Sequence, residues 1–84
     1  MNYKVVIERP VIKVLEKIPE PDYSRIKNAI LSLSFNPRPA GFIKLRGRSG
    51  YRIRKGDYRI IYEIKDTILI VKVIAIGHRK DIYD

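Results

Sequence analysis

The sequence predicts an α+β fold, ordered β-α-α-β-β-β(-β), in which an N-terminal helical hairpin packs on one face of a mainly antiparallel twisted sheet. Three observations carry this expectation. The chain opens on a β-branched run, "YKVVIE". Two stretches with helical spacing of apolar residues follow, separated by "PEPD". Everything after Gly41 alternates or runs apolar in the manner of strands, with a glycine where a hairpin needs one.

Taken in order, "YKVVIE" is the first strand and Pro10 ends it. Proline suits the first turn of a helix, and Val11, Leu15 and Ile18 recur at i, i+4 and i+7 while Lys13 and Lys17 face water, so a short helix runs to about Ile18. Pro21 or Asp22 opens a second helix carrying Tyr23, Ile26, Ala29, Ile30 and Leu33 on one stripe, closed by "FNPRPAG". Helices this short need tertiary packing, so their apolar stripes lie on a sheet. "FIKL" is a short strand, and "GYRIRK" with "DYRIIYEIK" makes a hairpin around Gly56. The near-continuous apolar run "ILIVKVIAIG" is a central strand covered on both faces.

Composition limits what such a fold does. Eighty-four residues, 45% apolar and 32% charged, make one globular domain spanning 1–84 with a single modest core. The absence of cysteine rules out disulfides, thiolate catalysis and cysteine metal sites, and no metal or cofactor is expected. A small domain without disulfides, whose first residues carry charges throughout, is expected in the cytoplasm with no membrane span. Eighteen Lys and Arg against nine Asp and Glu give a net charge of +9, suited to nucleic acid or another polyanion. Residues 43–80 hold eleven of the basic groups and three of the acidic ones. Several of these lie inside strands rather than in a solvated tail, which favours a binding face.

The hairpin "YRIRKGDYRIIYEI" sharpens that reading. With Gly56 and Asp57 as turn residues Arg54 lies opposite Arg59; with Lys55 and Gly56, Arg52 does. Either register puts all three arginines on one face and leaves Tyr51, Ile53, Tyr58, Ile60, Tyr62 and Ile64 to the helices. A bulge at the turn would reverse that parity. Like charges facing each other weaken strand pairing, so the face is expected to meet something negative. Guanidinium groups bind phosphate through paired, planar hydrogen bonds and stay charged near neutral pH. Lys44 and Arg46 are expected to join Arg52 and Arg54 in binding phosphate, of RNA or another polyanion. Beyond the last strand, "HRKDIYD" holds the only histidine, and Gly77 allows a sharp turn bringing His78 or Arg79 back toward the arginine face. Ile61, Ile74 and Ile76 are expected on or near that face as its apolar complement.

"YRIRKGDYRIIYEI" followed by "GHRKDIY" closely resembles the RelE/ParE superfamily of toxins from prokaryotic type II toxin–antitoxin modules, in its RelE-like branch. The resemblance covers nearly the whole chain and implies the same order of elements. It implies a ribosome-dependent endoribonuclease that cuts messenger RNA in the A site of the 30S subunit. The implied partners are the ribosome, messenger RNA and a cognate antitoxin that wraps the toxin in a hetero-oligomer and holds it in check.

Carried over by residue, the resemblance makes Arg52 and Arg54 the basic pair contacting substrate phosphates, Arg59 the catalytic arginine, and Arg79 and Tyr83 the C-terminal arginine and tyrosine. Some family members have lysine at the positions of Arg52 and Arg54, and arginine does not serve as a base. The general base is therefore open between Tyr83, to which the resemblance points, and His78, whose imidazole titrates near neutrality. The ParE-like branch shares the fold but inhibits DNA gyrase, and a non-catalytic RNA- or ribosome-binding module is a further alternative.

Overall fold

The computed structural model describes residues 2–78. Strand β1 (Lys4–Ile7) is followed by helices α1 (Arg9–Glu16) and α2 (Asp22–Ser32), then by β2 (Ile43–Lys44), β3 (Tyr51–Lys55), β4 (Tyr58–Lys65) and β5 (Ile70–His78). The five strands form one sheet in the order β1-β5-β4-β3-β2. β1 runs parallel to β5 and the other pairings are antiparallel, so the sheet is mixed. The apolar run of β5 lies between β1 and β4, an interior position as its composition requires.

Local sequence accounts for the helices. Pro10 occupies the first turn of α1, where its missing N–H costs nothing, and the N–H of Lys17 closes the last turn on Val14 and Leu15. Pro21 precedes α2, which carries Asp22 in its first turn, where a negative charge meets the positive helix end. α1 buries Val11 and Leu15, and α2 buries Ile26 and Ile30. These side chains pack on Ile53, Ile60, Tyr62, Val71, Val73 and Ile76 of the sheet in one core.

The hairpin takes the first of the two registers considered. Lys55 lies opposite Tyr58 and Arg54 opposite Arg59, with Gly56 at φ +58° in the first turn position. The bulge sits elsewhere, between β4 and β5. Tyr62 pairs with Val73 but Ile61 with Ala75, so β5 carries one extra residue there. Two expectations are corrected by the course of β5. Ile76 pairs with Ile60 and belongs to the helix-covered core instead of the arginine face. β5 also continues through Gly77 to His78, so the chain makes no turn at Gly77.

Three polar contacts hold the end of the sheet remote from Gly56. Asp66 accepts the Tyr3 hydroxyl at 2.7 Å and pairs with Arg38 at 2.9 Å, so its carboxyl titrates below the ordinary range, mainly through Arg38 and then Tyr3. Tyr62, fully buried, donates its hydroxyl to the carbonyl of Pro37 at 2.7 Å, and burial pushes its pKa up to about 12.

Tyr62→Phe therefore costs about 1 kcal/mol near neutral pH, the net worth of one buried hydrogen bond. A phenol whose folded pKa is raised stabilises the fold fully below its unfolded pKa of 10.0 and loses that contribution as pH rises through about 12. Denaturant unfolding of both proteins between pH 8 and pH 12 checks this. The wild type loses its advantage over Tyr62→Phe across that alkaline window; parallel curves refute the assignment.

Candidate nucleic-acid interface

The register of β3, β4 and β5 builds the site. Side chains opposite one another across strands share a face, so Arg54, Arg59 and Gly77 form one cross-strand row. Ile43, Arg52, Ile61 and Ala75 form the next row on the same face. Gly77 adds no side chain to its row. The helices cover the opposite face, and on the arginine face itself Arg52 and Ile61 are buried while Arg54 is exposed.

The three guanidinium groups differ in their surroundings. Arg54 is exposed, Arg59 half-buried, and Arg52 only 8% exposed, the single buried charged residue among those described. The Nε atoms of both Arg52 and Arg59 are buried. Burial lowers the pKa of Arg52, and the charges of Arg59 and Arg54 lower it further. The guanidinium remains charged near neutral pH, since arginine titrates several units above it. The three cations lie within electrostatic reach of one another on a rigid strand pair instead of loops.

The other candidates sit differently. Lys44 pairs with Tyr51, on the helix side of the sheet, and is exposed. Arg46 is exposed in the loop after β2. Neither joins the arginine row. His78 pairs with Tyr58, its ring set edge-on at 5.5 Å between centroids, and this register puts it on the face opposite the arginines. The bulge is the reason, because without the extra residue of β5 the parity at position 78 would reverse. Arg79 and Tyr83 lie outside the described residues. Ile61 lies on the arginine face, and Ile74 occupies the bulge beside it. Among the described residues no three His, Cys, Asp or Glu side chains gather as a metal site would need.

The chain matches, over residues 5–83, the family described as ParE toxin of type II toxin–antitoxin system. It is 38% identical over 87 residues to Toxin RelE3 of Methanocaldococcus jannaschii, with 96% of each chain covered. It is 30% identical to Putative toxin RelE1 of the same organism, covering 89% of this chain and 90% of that one. Among solved structures, the archaeal RelE–RelB complex from Pyrococcus horikoshii superimposes with a TM-score of 0.84 at 33% identity, covering 94% of this chain and 97% of that one.

Each guanidinium that meets a phosphate displaces condensed counterions, so the site makes a salt-dependent prediction. Binding of a single-stranded RNA oligonucleotide, followed by fluorescence anisotropy across a salt series, falls along a log–log line. Removing Arg54 or Arg59 by substitution with alanine reduces that slope by about 0.7 each. Substituting Lys44 leaves the slope unchanged; equal effects at all three positions contradict the face assigned to Lys44.

Proposed function

From the premise that the chain belongs to the RelE/ParE family of toxins from type II toxin–antitoxin systems, we propose that it is a ribosome-dependent endoribonuclease that cuts messenger RNA in the ribosomal A site and so inhibits translation. The observation that carries this reading is the row Arg54–Arg59–Gly77 beside the buried Arg52. A protein that only binds another protein has no need to hold three guanidinium groups together against their own repulsion. A phosphodiester entering this face meets Arg54 and Arg59, and Arg52, buried beside them, adds its charge to the same field.

The chemistry follows from RNA itself. The 2′-hydroxyl gives its proton to a base and its oxygen attacks the adjacent phosphorus, while the 5′-oxygen leaves and takes up a proton. The products are a 2′,3′-cyclic phosphate and a 5′-hydroxyl. Charge builds on the non-bridging oxygens during attack, and Arg59 together with Arg79 is assigned to stabilise it. Arg52 and Arg54 hold the flanking phosphates. Tyr83 is the better candidate for base or for stacking on a splayed nucleotide, because His78 sits against Tyr58 on the other face. A base of that kind is weak at neutral pH, so most of the rate comes from orientation imposed by the ribosome.

The partner is an antitoxin. The relatives from P. horikoshii and M. jannaschii were solved as RelE–RelB complexes, and the arginine face with the half-buried Ile74 beside it suits an acidic amphipathic segment, whereas Ile61 on that face is buried and offers it no surface. No helix among the described residues is long and apolar enough to cross a membrane, and the proposed target places the toxin in the cytoplasm.

Primer extension on messenger RNA from a translation reaction with purified ribosomes tests the proposal. Wild-type protein freed of antitoxin cuts within A-site codons only when ribosomes are present, and Arg59→Ala or Arg79→Ala lowers cutting by about 10² or more. The match to a ParE family description gives gyrase inhibition a specific claim as the second reading. Intact messenger RNA together with loss of DNA supercoiling activity decides for gyrase.

A further inference from the structure

Beside the arginine row the sheet has an open edge. β2 pairs with β3 only at Ile43–Arg52 and Lys44–Tyr51, so among the described residues β3 continues without a neighbour on that side from Ile53 to Lys55. Register decides what this edge offers. Lys55 and Tyr58 close a two-residue turn, so they, Ile53 with Ile60, and Tyr51 with Tyr62 direct their main-chain groups at each other. Arg52 and Arg54 then point theirs the other way. The bond from the Leu45 N–H to the Gly50 carbonyl, 3.0 Å, fixes the same parity on the β2 side. Arg52 uses its outward groups on Ile43, and at Arg54 the next partner in register would be Gly41.

Gly41 does not take that place. At φ +89° it turns the chain away from β3. A cleft of about 370 Å³ takes the place of a strand, walled by Ala29 and Ser32 of α2 and by Pro39 to Gly41, with Ile53 beneath and Arg54 and Lys55 at its rim. The main chain of Arg54 thus faces the cleft while its side chain belongs to the arginine face.

We infer that this cleft seats one base of the RNA strand whose phosphates lie on the arginine face, the base edge pairing with the main-chain N–H and C=O of Arg54; the inference rests on the RNA-cleaving reading above. The chemistry matches at each point. A base edge sets donors beside acceptors, and one open-edge residue offers a donor and an acceptor together. Apolar walls of Ala29, Pro39, Ala40 and Ile53 take the ring, and the cleft lies in the size range of small-ligand sites, about 300–1,000 Å³. Lys55 and the Arg54 guanidinium stand where the adjoining phosphates pass. An added peptide strand fits less well, because strand addition needs several alternate edge residues and Arg54 is the only one between β2 and the turn. The cleft therefore reads the identity of one nucleotide near the cut.

The test uses the full-length chain, ¹⁵N-labelled, titrated with each of the four nucleoside 5′-monophosphates and with ribose 5-phosphate. The nucleotides shift the Arg54 amide resonance, and the best and worst bases differ in affinity by at least about fivefold. Ribose 5-phosphate shifts the arginine side chains but leaves that amide in place. Ser32→Leu, which fills the cleft from the helix, abolishes the base preference and keeps the ribose-phosphate response; Ala40→Leu does the same from the loop and guards against a helix defect. Four nucleotides that bind no differently from ribose 5-phosphate overturn the inference, as does base preference that survives both filled clefts. Protection of the Arg54 amide in the antitoxin complex, with nucleotides leaving it unmoved, assigns the cleft to a peptide and overturns it equally. No ribosome enters these measurements, so a chain that selects a base but cuts no messenger RNA contradicts the cleavage reading alone.

Discussion

The arrangement of this molecule depends on one register slip. Between Ile61 and Tyr62 the pairing of β4 with β5 skips a residue, and the two halves of β5 consequently present opposite parities. Before the slip Val71 and Val73 face the helices, and after it Ile76 does. A regular strand would have turned Ile76 outward and left Gly77 under the helices. The bulge therefore adds Ile76 to Val71 and Val73 in the core and places a residue without a side chain beside Arg59.

The slip also explains how the arginine cluster is tolerated. Arg54 opposite Arg59 opposes strand pairing by about 0.2–1 kcal/mol, and the burial of Arg52 adds a desolvation cost. On the other face Ile60, Tyr62, Val71 and Val73 are completely buried, and each full burial of that kind contributes about 1.5–3 kcal/mol. The second effect is larger. β4 and β5 are held by what lies under the helices, so the outer face is free to carry charges that oppose the pairing. A sheet with both faces solvated would not have that latitude at this chain length.

Much of this was legible in the sequence. The alternation of Tyr51, Ile53, Tyr58, Ile60 and Tyr62 with Arg52, Arg54 and Arg59 leads to a two-faced hairpin and to the shared arginine face. Helix spacing and the prolines located α1 and α2. The bulge left no trace, because the residues around it, Val73 to Ile76, are all apolar and an extra apolar residue in such a run alters no pattern. Ile76 was misplaced for that reason, and His78 because the strand runs on through Gly77 where a turn was expected. Lys44 was missed differently: with two residues paired, β2 is too short for its own alternation to reveal a face. The open edge at Arg54 is a property of where β2 stops, and that stop is set by the turn at Gly41 rather than by anything in β3 itself.

Position on strands has a consequence for chemistry that loops would not provide. Side chains on paired strands inherit their spacing from the ladder, so Arg52, Arg54 and Arg59 keep their relation to one another before any substrate arrives. Preorganisation of this kind matters most where the developing charge is stabilised by fixed cations and little else, since cations that must first move together pay their repulsion during the reaction. Here that repulsion is already met in folding, and a bound phosphate relieves it. A face of like charges held at fixed spacing favours a polyanion that fits it, and under the proposed function an acidic antitoxin segment and an RNA strand compete for the same guanidinium groups.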